Sequence, residues 1–325
     1  MISTDPMRTM TPPPVSHPSP DPAGLGVRVW GARGSLPASG ADFLHYGGET
    51  CAVEVTAGEV SAGTRTIVLD AGSGAVAMGA SLTGRGVREI DLFLTHLHYD
   101  HVMGLPFFAP LHDPAARLRI HVGGGPAGES DAAAGDRLRG YFREPHFPVG
   151  LGCFPASVTV HAVPDEAVVL NDVRVVPGAL NHPGGGADGI GGATGYRVER
   201  DGGAFAYVTD FEHDGGAGDE AVVVLARDAD LALLDATYTP DEYGGCCGWG
   251  HAHWRAGGTL AARAGVRSWG LFHHRHDRTD AALATVEAAA RAEFPAAFAA
   301  RTGQVFAIGG DAADDVPARD AALTA

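Results

Sequence analysis

Four metal-binding side chains are concentrated in one short run of the sequence, at His96, His98, Asp100 and His101. The run follows an apolar segment, residues 90–94, whose composition predicts a β-strand. Alternate residues at a strand end point the same way, so His96 and His98 can share one metal ion. A helix is expected to begin near Asp100, which lets Asp100 and His101 bind a second ion. The spacing predicts half of a dinuclear metal site.

The residue types also restrict the metal and the competing sites. Neutral imidazole and carboxylate suit zinc, iron or manganese better than calcium or magnesium. The adjacent pair Cys246 and Cys247 is a poor candidate for a structural crosslink, and it lies in a glycine-rich segment without a second cysteine cluster. Reduced thiols are therefore expected. Six other histidines stand singly and are expected at the surface or in satisfied core positions: His17, His45, His112, His121, His146 and His161.

Further candidate residues stand where other predicted strands end. Side chains at such positions can converge at one edge of a sheet. An aspartate there could instead cap a helix or accept backbone donors. For Asp70, both a structural turn and support of a ligand remain open. The candidates are Asp70, His182, Asp210, Asp235 and His273.

The pattern of short apolar segments predicts a layered α/β fold. Helical spacing is clearest at residues 254–264 and 280–294. Strands are predicted at residues 27–30, 52–56, 66–69, 92–94, 118–122, 158–163, 173–176, 195–199, 204–209, 231–234, 269–272 and 304–308.

The sequence resembles the metallo-β-lactamase superfamily, because His96, His98, Asp100 and His101 form its H-x-H-x-D-H signature. It is more similar to the phosphodiesterase branch, which includes RNase Z and cyclic phosphodiesterases, than to the lactam hydrolases. Three passages carry that similarity: residues 29–35, 207–210 and 250–253. The resemblance implies an αββα sandwich, in which two mixed β-sheets pack face to face with helices outside.

The resemblance also implies a full set of ligands and catalytic groups. His96, His98 and His182 would hold one metal ion, Asp100, His101 and His273 a second, and Asp210 would bridge them. His273 is preferred to its neighbour His274 because it stands where the family's last ligand leaves its strand. Asp100 would orient or deprotonate a water molecule, and His251, oriented by Asp235, would donate a proton to the leaving group.

These residues predict a hydrolase that uses two divalent transition-metal ions. Zn²⁺ is the first choice, with Mn²⁺ or Fe²⁺ as alternatives. Two such ions about 3.5–4 Å apart lower the pKa of a water towards about 7 and neutralise charge on a phosphoryl group. The expected substrate is a small cyclic or nucleotide-like phosphodiester. His253, Glu49 and Arg275 depart from the family pattern near the expected pocket mouth, so they put the substrate identity in doubt.

Three other functions compete with a phosphodiesterase. A lactonase or amidase would keep the metal ions and change the bond. An RNA-processing nuclease is disfavoured by the net charge of −16, because nucleic-acid binding draws affinity from basic residues. A metal-loaded ligand sensor with vestigial activity is the alternative from another class.

The remaining expectations concern organisation and location. Residues 1–24 are rich in proline and predict a disordered leader, residues 25–310 a hydrolase domain, and residues 311–325 an acidic, alanine-rich tail. Without an apolar stretch of membrane-spanning length or a signal peptide, the protein is expected in the cytoplasm, with no membrane partner. Exposed strands at a sheet edge could form a homodimer. Residues 123–164 could be either a lid over the site or a covering of the sheet edge.

Overall fold

A computed structural model describes residues 24–58, 65–145, 147–183 and 192–309. The leader predicted for residues 1–24, apart from Gly24, lies outside the described residues. The tail predicted for residues 311–325 also lies outside them, so both remain predictions.

The first of two β-sheets has seven strands: β1 (Leu25–Gly31), β2 (Ala52–Ala57), β3 (Arg65–Leu69), β4 (Glu89–Leu94), β5 (Arg117–Val122), β6 (Ser157–Ala162) and β14 (Val305–Ile308). Their order in the sheet is β14-β1-β2-β3-β4-β5-β6. The pairs from β14 to β3 are antiparallel, and those from β3 to β6 are parallel.

The second sheet also has seven strands: β7 (Val168–Leu170), β8 (Val173–Leu180), β9 (Ala193–Arg200), β10 (Gly203–Val208), β11 (Leu231–Asp235), β12 (Ser268–Phe272) and β13 (Ala297–Ala299). The order is β13-β12-β11-β10-β9-β8-β7. Strands β10 to β13 are parallel, and β7 to β10 are antiparallel neighbours. Each sheet is therefore mixed.

Seven α-helices occur among the described residues. They are α1 (Gly74–Gly84), α2 (Tyr99–Val102), α3 (Asp131–Tyr141), α4 (Ala217–Ala226), α5 (Pro240–Tyr243), α6 (Trp254–Ala264) and α7 (Asp280–Glu293). Within the described part of the chain, no helix is long and apolar enough to cross a membrane.

Three apolar layers hold the fold together. The central layer lies between the sheets and contains Val27 and Phe93 from the first sheet and Phe205 and Phe272 from the second. A second layer packs α1 and α3 on the first sheet, and a third packs α4, α6 and α7 on the second. Burial of apolar surface in these layers is the main stabilising contribution. The predicted αββα sandwich is confirmed.

Local sequence explains the helix that the pattern predicts best. In α6 the buried residues recur at helical spacing, from Trp254 through Leu260 to Ala264. Nδ1 of His253 accepts a hydrogen bond from the Ala256 amide, and Gly265 ends the helix in the left-handed conformation with φ +72°. The bounds agree with the predicted 254–264. Helix α7 ends at Glu293, one residue before the predicted end.

Two strands and several helices were missed in the sequence. Strands β7 and β13 have only three residues each, too few to show alternation. Helix α1 is apolar on all sides, so it lacks the periodic polar face by which a helix is recognised.

The strand directions place several strand ends at one end of the sandwich. In the first sheet the parallel strands β3 and β4 lead to Asp70 and His96. In the second sheet β8, β10 and β12 run in one direction and lead to His182, Asp210 and His273. Contacts across the sandwich, such as His101 with Asp210, join the two sets of loops.

Of the segment 123–164, residues 157–162 form the edge strand β6, and the described residues before it pack against the first sheet. Helix α3 buries Ala134 and Leu138, and the turns that follow bury Phe142 and Leu151 in the layer against that sheet. The segment therefore packs as an edge covering. Tyr141 of this segment also contacts Tyr99 on α2, with 6.0 Å between the two ring centroids.

Candidate metal centre

The Asp210 carboxylate stands between two groups of imidazoles. Its Oδ2 lies 3.7 Å from Nε2 of His96 and 3.9 Å from Nε2 of His182. Its Oδ1 lies 3.2 Å from Nε2 of both His101 and His273. Each oxygen of this one carboxylate therefore faces a different group.

The first group is completed by His98. Nδ1 of His98 lies 3.2 Å from Nε2 of His182. Ligand atoms of His96, His98, His182 and Asp210 all lie within 4.8 Å of one another. This is a set of three imidazoles and one carboxylate, which suits a four-coordinate transition metal.

The second group is completed by Asp100. Its Oδ2 lies 3.1 Å from Nε2 of His273 and 3.4 Å from Nε2 of His101. The same oxygen accepts a hydrogen bond of 2.7 Å from the Ser35 amide. All seven residues predicted as ligands are therefore brought together at one place.

Outer hydrogen bonds hold four of the imidazoles with Nε2 turned inward. In each ring Nδ1 contacts an oxygen outside the cluster, which leaves the Nε2 lone pair for the interior. The partners, at 2.8 to 3.0 Å, are Thr95 Oγ1 for His96, Asp70 Oδ2 for His101, the Gly250 carbonyl for His182 and Thr237 Oγ1 for His273.

Asp70 supports the site from a fully buried position. Its carboxylate accepts hydrogen bonds from the Thr95 amide at 2.8 Å, Nδ1 of His101 at 2.8 Å and the Tyr207 hydroxyl at 2.9 Å. Both roles left open for Asp70 are present in the structure. Asp70 fixes the turn after β4, and it also orients His101.

Backbone strain is concentrated at the same strand ends. Asp70, Asp210 and His273 have φ values of +59°, +56° and +58°. Side-chain-bearing residues seldom adopt this left-handed region, and where they do the surrounding structure holds them. Each strand therefore ends in a turn that directs its last polar side chain towards the centre.

The cluster has the properties of a cation site. Nε2 of His96 and Nε2 of His101 are buried and have no hydrogen-bond partner among the described residues. Nδ1 of His98 and Nε2 of His182 lie 3.2 Å apart, a distance at which the two nitrogens can share either a proton or a metal ion. Bound cations would satisfy these atoms, so the residues fit a pair of transition-metal ions.

The pKa shifts agree with that character. Burial, reinforced by His101, lowers the pKa of His96 well below its ordinary value, and burial also lowers the pKa of His98 and His182. These imidazoles are neutral, which is the form that binds metal. Burial opposes a charge on His101, but Asp210, Asp100 and Asp70 raise its pKa well above the ordinary value. The carboxylates therefore draw positive charge to the centre.

The structure separates the neighbours His273 and His274. Nε2 of His273 faces Asp100 and Asp210, whereas Nε2 of His274 contacts the Ala300 carbonyl at 2.7 Å, away from the cluster. Burial lowers the pKa of His274 to about 3. His274 is thus a neutral core residue.

Beside the cluster lies the pair of His251 and Asp235. Nδ1 of His251 lies 2.9 Å from Oδ2 of Asp235. The ring of His251 stacks on His273 at 4.6 Å between centroids, and its side chain is 12% exposed. Burial alone would lower the pKa of His251, but the Asp235 carboxylate raises it to about 9. The imidazole is held in one orientation at the edge of the centre, with Nδ1 turned towards Asp235.

Sequence reasoning missed several residues that shape the site. Ser35 and Gly250 act through their backbone, and any residue offers those groups. Gly34 leaves space for His273, because a Cβ on Gly34 would lie 2.1 Å from that ring. The only indication of Thr237 in the sequence was its position two residues after Asp235.

Cys51 was also missed. Its buried thiol lies beside His101 and His273, with the three ligand atoms within 4.8 Å of one another, and it donates to the Arg33 carbonyl. Its position early in the chain, far from the histidine run, gave no signal of this.

Comparison with known proteins gives the family. The profile described as the beta-lactamase superfamily domain matches residues 65–274. Ribonuclease Z of Halorubrum lacusprofundi is 27% identical over 250 residues, which cover 64% of this chain and 76% of that protein.

Solved structures agree on the fold. The metallo-beta-lactamase fold protein YhfI of Bacillus subtilis superposes with a TM-score of 0.62 at 18% identity, over 88% of this chain and all of that one. A diphosphatase from the PhnP family gives a TM-score of 0.59 at 19% identity, over 87% and 97% of the two chains.

The chain therefore belongs to the beta-lactamase superfamily. As a member of it the protein is a metal-dependent hydrolase, and ribonuclease Z is among the proteins that it resembles. The predicted family and enzyme class are confirmed.

Proposed function

We propose that this protein is a dinuclear metal-dependent phosphodiesterase acting on a small cyclic or nucleotide-like phosphodiester. The observation that carries the proposal is the His251–Asp235 pair at the edge of two ligand groups joined by Asp210. A proton donor in this place serves a reaction in which a basic alkoxide must leave. Opening a lactone also expels an alkoxide, so the preference for a phosphodiester over a lactone is supported by the similarity to ribonuclease Z.

The proposed ligands follow the two groups. One divalent ion would be held by His96, His98 and His182. The other would be held by Asp100, His101 and His273, and Asp210 would bind both ions. Zn²⁺ fits the donor set best, and Mn²⁺ or Fe²⁺ are alternatives. When bound, such ions lower the pKa of a water molecule towards about 7 and neutralise charge on phosphoryl oxygens.

The chain's own residues would then divide the proton transfers. Asp100, held by the Ser35 amide, would orient the attacking water or accept its proton. As the new phosphorus–oxygen bond forms and the bond to the leaving oxygen breaks, His251 gives its Nε2 proton to that oxygen. Asp235 keeps Nδ1 of His251 occupied and stabilises the imidazolium before the transfer.

Charge favours a small substrate over a folded RNA. The ribonuclease Z relative is named for action on RNA, but this chain has a net charge of −16. The many phosphates of a long RNA would be repelled by a protein of this negative charge. A single phosphodiester can enter a local cationic centre. A small-molecule partner, with no membrane and no extended nucleic acid, remains the expectation.

The proposal is tested by metal-reconstituted hydrolysis of a p-nitrophenyl phosphodiester beside a chromogenic lactam and a lactone. Cleavage of the diester alone supports it. Cleavage of lactam or lactone without diester cleavage would replace it with a lactonase or amidase, and specific ligand binding without any turnover would favour a sensor.

Removal of metal is expected to abolish hydrolysis and to lower thermal stability, because the buried Nε2 atoms of His96 and His101 then lose the ion that would satisfy them. Because the proposed site holds two metal ions, elemental analysis should give about two ions per chain. Dialysis against a chelator, followed by calorimetry and titration with Zn²⁺ or Mn²⁺, measures loss and recovery. A chain that stays fully active after metal is removed would contradict the proposed centre.

An exposed aromatic side chain stands at the mouth of the centre. Tyr99 lies between the ligands His98 and Asp100, is 63% exposed, and has the ring of Tyr141 6.0 Å away. His98 is itself exposed, so the centre opens on this side. Nucleobases stack on such rings, which supports a nucleotide-like substrate.

Replacing Tyr99 with alanine is expected to lower kcat/KM for thymidine 5′-p-nitrophenyl phosphate by about 5- to 150-fold, the equivalent of one stacked base. Methyl p-nitrophenyl phosphate should be cleaved as before, because it lacks the base. Tyr99→Phe keeps the ring and should behave like the wild type. Equal losses on both substrates would rule out base stacking at Tyr99.

A further inference from the structure

The loop of residues 244–250 lies directly against the candidate ligand His182. The Gly250 carbonyl accepts a hydrogen bond of 2.8 Å from Nδ1 of His182. Gly250 has φ +86°, and a Cβ there would lie 2.2 Å from Cδ of Pro183 and 2.5 Å from Nδ1 of His182. Only glycine permits this approach. The ring orientation of His182 therefore depends on where the loop lies.

The side chain of Glu212 holds that loop in place. Its Oε1 accepts hydrogen bonds from the Gly248 amide at 2.5 Å and the Tyr243 hydroxyl at 2.9 Å. Its Oε2 accepts one of 2.9 Å from the Gly250 amide. One carboxylate thus fixes the Tyr243 hydroxyl just before the loop, the Gly248 amide within it and the Gly250 amide at its end.

The main chain of Glu212 is tied to the same ligand from the other side. Its amide donates to the Asn181 carbonyl at 2.7 Å, and its carbonyl accepts from Nδ2 of Asn181 at 2.9 Å. Asn181 directly precedes His182. Glu212 therefore holds His182 in two ways. It binds the backbone of Asn181, which precedes His182, and it binds the loop whose Gly250 carbonyl accepts from the His182 ring.

We propose that Glu212 is a positioning residue that sets the metal affinity of the group formed by His96, His98 and His182. The inference rests on the proposed metal centre and adds a residue that contacts no metal. If the loop were released, His182 would lose the acceptor that turns Nε2 inward, and metal binding would then have to order both the ring and the loop.

The role requires a carboxylate rather than any polar side chain. Both oxygens of Glu212 accept from donors, and a glutamine has only one acceptor oxygen. In a Glu212→Gln variant the amide NH₂ would face either the Gly250 amide or the pair formed by the Gly248 amide and the Tyr243 hydroxyl. A donor facing a donor is unfavourable, so the loop is expected to move.

The test compares Glu212→Gln with a milder and a control variant. Tyr243→Phe removes one of the three donors and leaves the carboxylate. Glu199→Gln removes a carboxylate that pairs with Arg174 and Arg197 on the outside of β9, far from the loop. For each protein, competition with a chromogenic chelator gives the affinity of each Zn²⁺, and the visible spectrum of the Co²⁺ form reports the ligand geometry.

For Glu212→Gln we expect one of two Zn²⁺ ions to bind about 10- to 100-fold more weakly, with an altered Co²⁺ spectrum. Tyr243→Phe should shift the same ion by a smaller factor, and Glu199→Gln should match the wild type. If Glu212→Gln does not fold, Tyr243→Phe and Glu199→Gln decide the result.

Unchanged affinities and spectrum in Glu212→Gln, or equal losses in Glu199→Gln, would overturn the inference while leaving the metal centre standing. A wild-type chain that binds no metal would overturn the proposed function itself. The two failures are therefore distinguishable.

Discussion

Replacing His251 with alanine is expected to lower kcat for a cyclic nucleotide by about 10²- to 10⁴-fold, the usual contribution of a positioned general acid. The leaving group of that substrate is an alkoxide, a strong base that must receive a proton as its bond to phosphorus breaks. His251 is oriented for the transfer by Asp235 at 2.9 Å. Product formation followed by ³¹P NMR measures the loss.

The leaving group separates this role from a structural one. A p-nitrophenyl diester releases a weakly basic phenolate, which leaves without a proton, so its cleavage should fall much less in the same variant. Metal content should remain at the wild-type value, because His251 is not among the proposed ligands. The control is His161→Ala, a histidine on the edge strand β6 that pairs with Asp131.

Equal losses on the two substrates would show that His251 acts on metal binding or on the shape of the site instead of on proton transfer. That result would remove His251 as the proposed general acid, although the metal centre would stand. Comparison of substrates is therefore more informative than the size of either loss alone.

The metal centre was largely predictable because its ligands are side chains whose types can be recognised in the sequence. Histidines and aspartates are seldom clustered by chance directly after apolar strands, and parallel strands bring their ends to one edge. His96, His98 and Asp100 lie where the strand and helix periodicities place them. The choice of His273 over His274 came from the family resemblance, because His273 stands where the family's last ligand leaves its strand. In the structure this first residue after β12 turns inward at positive φ.

The support around the ligands was less predictable, for a physical reason. His182 is held by a backbone carbonyl, Asp100 by a backbone amide, and the loop of residues 244–250 by Glu212. Backbone groups are the same at every residue, so no sequence pattern marks the ones that orient a ligand. Helices α1 and α4 were missed because their composition is apolar on more than one face.

Replacing Asp70 with asparagine is expected to weaken both the fold and the metal centre. The carboxylate accepts from Thr95, His101 and Tyr207 in a position without solvent. Asparagine tolerates the φ of +59°, so the backbone can stay, but one oxygen becomes a donor. Each buried donor left unpaired costs about 1–3 kcal/mol in free energy of unfolding.

Measuring the variant with and without metal divides the two effects. Urea denaturation of the chelated protein reports the hydrogen bonds alone, and chelator competition should show about 10- to 100-fold weaker binding of the ion held by His101. Asp228→Asn is the matched control, because Asp228 also has a positive φ, +49°, on the exposed surface. If Asp70→Asn kept wild-type metal affinity despite lower stability, Asp70 would serve the turn after β4 and not the ligand, because the orientation of His101 would then not depend on that carboxylate.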